Sequence, residues 1–195
     1  MNKKFKNDYF SMKGKDWKSP SGYIDILKSR DLRYIYYGRC SIESKLRIAR
    51  IFFRILRHRM ANKLLTEISF ENIDGGLSIS HAQAITVTAK AVLGRNISLR
   101  KGITIGIEAR GKRKGAPVIG NNVWIGPNAS VVGNITIGND VLIAPNSYVN
   151  FNVPDHSIVI GNPAKIIPAK NGNATEGYLR QRTYNDKSDS KMQLT

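Results

Sequence analysis

The stretch Val118–Val149, VIGNNVWIGPNASVVGNITIGNDVLIAPNSYV, decides the fold. An aliphatic residue falls on every sixth position: Ile119, Ile125, Val131, Ile137, Ile143 and Val149. A small residue usually follows it, as Gly120, Gly126, Gly138 and Ala144 do. Four positions after each aliphatic comes a second apolar or small residue: Val123, Ala129, Ile135, Val141, Ser147. A period of six is neither the 3.6 of a helix nor the 2 of an ordinary strand. It is the hexapeptide repeat of a parallel β-helix, in which three hexapeptides close one triangular coil of about 18 residues. The aliphatic points inward and stacks on its equivalents in the next coil. One coil cannot bury its inner face alone, so stability comes from stacking.

Working outward, the lattice starts at Ile73, Ile79 and Ile85, slips by two residues, and resumes at Val87, Leu93, Leu99 and Ile105. The next in-phase residue is Ile119, so roughly eight residues are extruded within 107–117, IEARGKRKGAP. A basic loop on a rigid scaffold is a favoured place for function. After Val149 the pattern decays. Asn150–His156 is expected to leave the helix, and Ile158–Ile167 to form a last strand and cap.

Ahead of the repeat the chain is basic and helical in pattern. Residues 1–18 read as a mobile, Lys-rich arm. Short helices are expected over Tyr23–Lys28 and Leu32–Tyr37, the second ended by Gly38. Ser41 is placed to cap a helix over Ile42–Leu65, whose apolar residues (Leu46, Ala49, Phe52, Phe53, Leu56, Met60, Leu64) have helical spacing. Arg47, Arg50, Arg54, Arg57, His58, Arg59 and Lys63 fill its other side. Such a helix can lie on an anionic membrane, or pack on the β-helix or another subunit with solvated arginines; the packed reading is preferred. The division is therefore a basic arm and helical region over 1–65, a β-helix over 66–168 with the loop 107–117, and a polar, disordered tail over 169–195.

Composition bounds the function. The 195 residues carry a net charge of +17, concentrated in 1–63 and in Arg110–Lys114. That favours polyanionic partners or a phosphate-bearing cofactor. The β-helix is nearly neutral, which argues against a nucleic-acid footprint. A single cysteine, Cys40, rules out an internal disulfide and fits a reducing compartment. With neither a signal-peptide pattern nor an apolar run of spanning length, the protein is expected to be cytoplasmic.

Of the three histidines, His58 and His156 read as surface residues. His81 differs. It sits beside the two-residue slip, so its ring is expected to face out from a prism wall.

Residues 66–168 resemble the hexapeptide-repeat acyltransferases, specifically the serine acetyltransferase branch. The matching segments are Gly76-Leu-Ser-Ile-Ser-His81, Val92-Leu-Gly-Arg-Asn-Ile97, Gly102-Ile-Thr-Ile-Gly106, Pro117–Gly126 and Gly161-Asn-Pro-Ala-Lys165. The Gly111–Pro117 loop is most similar to members associated with exopolysaccharide and capsule synthesis. The resemblance implies a mainly β fold, a left-handed β-helix, a homotrimer with active sites between subunits, and acetyl-CoA as donor. It places the general base on His81, a role an imidazole can fill because it is neutral and basic near pH 7. It makes Glu67 the candidate to orient that histidine, one residue off the family spacing. It requires no metal.

Acetyl-CoA is expected along small corner residues, at Gly106, Gly126 and Ala144 with Pro127 and Pro145. Lys165, Lys112, Arg113 and Lys114 are candidates for its phosphates. Two departures bear on the acceptor. The family's acid before the histidine is Ser80 here, and its Arg-His-Pro is Gly115-Ala-Pro117. A site without both charges penalises a zwitterion. The expectation is therefore an O-acetyltransferase acting on a sugar hydroxyl of a surface polysaccharide, with possible peripheral membrane contact through Ile42–Leu65. The alternatives are a serine O-acetyltransferase, an N-acetyltransferase of an amino sugar, and a non-catalytic trimeric scaffold or nucleic-acid binder.

Overall fold

The structure is a computed structural model that describes residues 3–170 and 172–180. Four helices come first: α1 (Lys3–Lys13), α2 (Ser21–Lys28), α3 (Arg30–Glu43) and α4 (Arg47–Leu64). The chain then winds into a prism with three walls. One wall holds five strands: β1 (Glu67–Ile68), β3 (Thr86–Val87), β6 (Thr104–Gly106), β9 (Ser130–Val132) and β12 (Tyr148–Val149). A second holds β4 (Val92–Leu93), β7 (Val118–Ile119) and β10 (Thr136–Ile137). The third holds six: β2 (Ser78–Ser80), β5 (Ile97–Arg100), β8 (Val123–Ile125), β11 (Val141–Ile143), β13 (Ser157–Gly161) and β14 (Ala164–Pro168). The pairings between these strands are parallel except for the closing β13–β14 hairpin.

The six-residue lattice is the register of this prism. Ile79 pairs with Leu99, Leu99 with Ile125, Ile125 with Ile143 and Ile143 with Val159. Every one of them is buried, as are Ile105, Ile119, Val131, Ile137 and Val149. Truncating one such Ile to Ala is expected to cost about 2–5 kcal/mol, because the stacked core leaves a cavity it cannot collapse.

Coil length is where the sequence departs from regularity. Ile125 to Ile143 is a regular coil of 18 residues. Ile79 to Leu99 holds 20, and the extra pair sits at the His81 corner. Val149 does not end the helix as expected. One more, shortened turn follows: Val153 bridges in parallel to Ile137 and Val159 pairs with Ile143. The pattern only looks decayed because this coil is two residues short.

The helical region differs most from expectation. The first residues form α1 rather than an arm, with Phe5 and Tyr9 buried against Trp17 and Tyr36. Gly38 does not stop α3. Its missing side chain is the space in which the Phe70 ring packs. Ser29 caps α3, its Oγ accepting from the Leu32 N–H at 3.2 Å. Ser41 caps nothing; its Oγ donates back to the Gly38 carbonyl at 2.7 Å. The expected helix over Ile42–Leu65 is thus two pieces, broken at Ser44–Leu46. Phe53 and Met60 of α4 pack inward, whereas Ile48, Ile51, Phe52 and Ile55 are exposed. No helix of the described residues is long and apolar enough to cross a membrane.

One core runs without a break from Phe5, Leu32 and Ile35 into the prism. A buried ion pair fixes the junction. Arg39 donates to both Asp8 oxygens at 2.7 and 3.1 Å, and Asp8 also accepts from the Gly76 and Leu77 N–H groups. The tail departs from expectation too. Residues 172–180 fold back on the six-strand wall, where Ala174 and Thr175 are buried and Tyr178 meets Trp124 edge-on. The rest of the expected disordered tail, residue 171 and residues 181–195, lies outside the described residues.

Candidate active site

The corner between the six-strand and five-strand walls is built from left-handed residues, one per coil. They are Ala84, Gly102, Asn128 and Asn146, with φ of 53°, 73°, 59° and 59°. Backbone bonds join successive rungs, as from Gly102 N–H to the Gln83 carbonyl and from Asn128 N–H to the Lys101 carbonyl. The inserted pair adds one further left-handed residue, His81, with φ of 57°. Histidine tolerates this region better than most side chains.

A carboxylate from the helical region holds that conformation. Asp31 Oδ2 accepts the His81 N–H at 2.9 Å and Oδ1 accepts the Ala82 N–H at 3.2 Å. Successive N–H groups around a left-handed residue form a concavity suited to an anion. The His81 side chain is exposed, and its ring makes no hydrogen bond among the described residues. Glu67 lies on β1 and is exposed; its N–H joins the Ile85 carbonyl at 2.7 Å. No hydrogen bond links its carboxylate to His81 among the described residues.

The extruded loop projects from the next corner, between the five-strand and three-strand walls. It is pinned at its neck by Glu108 N–H to Gly115 carbonyl at 2.9 Å and the reverse bond at 3.0 Å. Asn134 N–H to the Arg113 carbonyl, 2.9 Å, ties its tip to the coil below. An open cavity of about 310 Å3 lies beneath it, lined by Glu108, Arg110, Lys112, Arg113, Val132 and Asn150. Gly106, paired with Val132, borders it.

The expected cofactor glycines are not equivalent. A methyl group on Gly126 would lie 2.6 Å from Pro145 N and 2.9 Å from the Trp124 ring, so packing alone explains that glycine. On Gly106 it would meet nothing closer than 3.5 Å, and φ there is not positive. Nothing among the described residues demands a glycine at 106. Gly126, Pro127, Ala144 and Pro145 share the His81 corner, while Gly106, Lys112, Arg113 and Lys114 share the loop corner. Lys165 is exposed on β14. A single chain does not bring the two groups together.

Sequence reading missed Asp31, because a carboxylate in the first turn of a helix reads as an ordinary dipole partner. It also missed Glu108, Arg110 and Asn150. Arg100, stacked 5.4 Å above Trp124, was missed as well. His156 is more than a surface residue: its Nδ1 lies 2.9 Å from Asp140 Oδ2. No cluster of three metal-ligating side chains occurs among the described residues.

Comparison with known proteins fits this geometry. Residues 116–150 match the model of the bacterial transferase hexapeptide family. The chain superposes on a serine acetyltransferase of Neisseria gonorrhoeae, solved in complex with serine, with a TM-score of 0.68 and 31% identity, covering 85% of this chain and 68% of that one. The chain belongs to the hexapeptide transferase family. The prism is accordingly the left-handed β-helix of that fold. A serine acetyltransferase of Brucella abortus, in complex with coenzyme A, gives a TM-score of 0.69 at 26% identity, over 85% of this chain and 67% of that one. A probable serine acetyltransferase of rice (Oryza sativa subsp. japonica) is 39% identical over 60% of the chain, which spans only 35% of that relative's length. These relatives are serine acetyltransferases, not the capsule-associated enzymes that the sequence reading favoured.

Proposed function

We propose that this hexapeptide transferase is an acetyl-CoA-dependent O-acetyltransferase whose acceptor is serine, with His81 as general base. The observation that carries the reading is the His81 corner: an exposed imidazole on a rigid, inserted turn whose backbone is fixed by Asp31. In the reaction, the neutral ring takes the proton of the acceptor hydroxyl as its oxygen attacks the thioester carbonyl. The C–O bond forms, the C–S bond breaks, and the imidazolium returns the proton to the departing CoA thiolate.

The cavity under the loop supports serine as acceptor. The family's arginine and acid are absent from their usual positions. Yet Glu108 and Arg110 both line this cavity. A zwitterion finds both signs of charge in that place. Gly106 leaves room for the pantetheine arm, and Lys112, Arg113 and Lys114 suit the CoA phosphates. Gly126 has a packing reason of its own in Pro145 and Trp124, and remains a candidate on the resemblance alone. Glu67 remains a candidate orienter on the resemblance alone.

Two observations support a homotrimer. The two groups of site residues lie on different corners of one prism, so a neighbour's loop corner would complete the His81 corner. The exposed Ile48, Ile51, Phe52 and Ile55 of α4 supply an apolar face for a neighbour. We read that face as an interface between chains rather than a membrane contact.

A second reading keeps a sugar hydroxyl as acceptor, because Ser80 supplies no carboxylate beside the base. One assay separates them: CoA release from acetyl-CoA with serine, free sugars or nucleotide sugars as acceptor. Turnover with serine and none with sugars is expected. Turnover confined to sugars replaces the acceptor, and turnover with neither overturns the transferase reading.

A further inference from the structure

We propose that Asp31 is a positioning residue for the acetyl transfer, acting through the backbone of His81; this rests on the reading of His81 as base. Strand β2 is bracketed by two helical aspartates. Before it, Asp8 of α1 accepts the N–H groups of Gly76 and Leu77, both at 2.8 Å. After it, Asp31 of α3 accepts those of His81 and Ala82. The two clamps look alike but stand in different surroundings. Asp8 is fully buried and paired with Arg39, so it belongs to the joint between helices and prism. Asp31 is partly exposed, and Arg30 Nε is 4.0 Å away, the nearest cation among the described residues. It adds little to the core.

What Asp31 does fix is the first half of the turn, the His81 and Ala82 N–H groups; the second half is held by the Leu64 carbonyl, which accepts the Ala84 N–H at 3.0 Å, and by the Gly102 N–H, which donates to the Gln83 carbonyl at 2.9 Å. His81 stands in the inserted pair, outside the ladder that joins Ala84, Gly102, Asn128 and Asn146. A left-handed non-glycine residue costs about 1–2 kcal/mol against the ordinary region. Without the two bonds His81 and Ala82 lose their side-chain anchor while Gln83 and Ala84 stay tied, so the relaxation falls on His81 and its ring. A displacement of about 1 Å can cost roughly 100-fold in rate when reacting groups must be aligned. The specificity of the arrangement lies in its sequence distance: a helix start 50 residues upstream sets the direction of the base.

The experiment compares wild type, Asp31→Ala and Asp31→Asn on the full chain, in two independent measurements. Amide exchange of His81 and Ala82 reads the clamp directly. Steady-state CoA release with the best acceptor reads its consequence. In Asp31→Ala both amides are expected to exchange at least tenfold faster. kcat is expected to fall tenfold or more, with KM for acetyl-CoA within twofold of wild type. Asp31→Asn keeps a carbonyl oxygen that can accept one of the two N–H groups, and is expected to recover most of kcat. A general loss of folding would lower both variants alike and would appear in the thermal midpoint. Faster exchange with unchanged kcat overturns the positioning role. Unchanged exchange in Asp31→Ala overturns the clamp itself. A wild type that transfers acetyl to no acceptor overturns the reading of His81, whatever the amides do.

Discussion

Two histidines stand in left-handed turns at opposite ends of the prism, and a carboxylate attends each of them. At the first, Asp31 takes the backbone N–H of His81 and leaves the ring alone. At the second, Asp140 takes the ring of His156 at Nδ1 and binds the tail besides: Ala174 N–H at 2.8 Å, Thr175 N–H at 3.0 Å and Thr175 Oγ1 at 2.6 Å. Both imidazoles are exposed and both φ values are near 56° (57° and 55°). The difference is which part of the residue the carboxylate holds. Holding the backbone sets a ring in place and keeps its nitrogens available for chemistry. Holding the ring uses a nitrogen for structure.

His156 and Asp140 belong to a polar ladder that His81 lies outside. Gly76, Asn96, Asn122, Asp140 and His156 are the left-handed residues of successive coils at one corner. Within it Asn96 Nδ2 donates to Asn122 Oδ1 at 2.8 Å. The last two rungs are where that ladder turns outward to hold Ala174 and Thr175.

Of the two carboxylates, Asp140 has the larger expected effect on stability. Asp140→Ala leaves buried N–H groups of Ala174 and Thr175 unpaired and puts alanine in a left-handed turn. A cost of about 3 kcal/mol follows, read as a lower denaturation midpoint and faster proteolysis within 172–180. The same change at Asp31 should barely move the midpoint.

The pH dependence comes next. The bond to Asp140 raises the His156 pKa above its ordinary 6.5, outweighing partial desolvation. Burial pushes Asp140 up, but bonds from Thr175, His156 and two backbone N–H groups outweigh it and hold the carboxyl below 3.8. For a raised histidine, the stabilisation is complete below 6.5 and lost as pH rises through the folded value. For a lowered carboxylate it is complete above 3.8 and lost as pH falls through the folded value. Protection of the 172–180 amides is therefore expected to be greatest between about 4 and 6.5 and to weaken as the pH rises beyond 6.5. His156→Asn should abolish the upper limb while keeping a residue suited to φ of 55°. An upper limb that survives this change would mean that another group carries it.

The smallest effect is at the His81 corner itself. Ala84 pays for its left-handed φ of 53° without help from its side chain. Ala84→Gly should stabilise by about 1 kcal/mol and leave transfer rates unchanged. A loss of transfer there would show that the rung next to His81 is more than scaffold.

The prism was legible because its core repeats. Each inward aliphatic is chosen by the same environment, so period alone fixed register from Ile73 to Val149. The two-residue slip and the extruded loop were legible for the same reason, as breaks in that period. The helices were not. Gly38 reads as a stop, and only the Phe70 ring, 32 residues later, explains why α3 continues. Phe5 and Tyr9 look scattered until Trp17 and Tyr36 close around them. In the site, His81 could be singled out by its place beside the slip. Asp31 could not, since its partners are backbone groups that carry no sequence signature.

The most direct test of the account is the rate of CoA release at saturating acetyl-CoA and serine for wild type, His81→Ala and His156→Ala, measured together. The account predicts a loss of 100-fold or more in His81→Ala and a rate within twofold of wild type in His156→Ala. Equal rates in wild type and His81→Ala would contradict it.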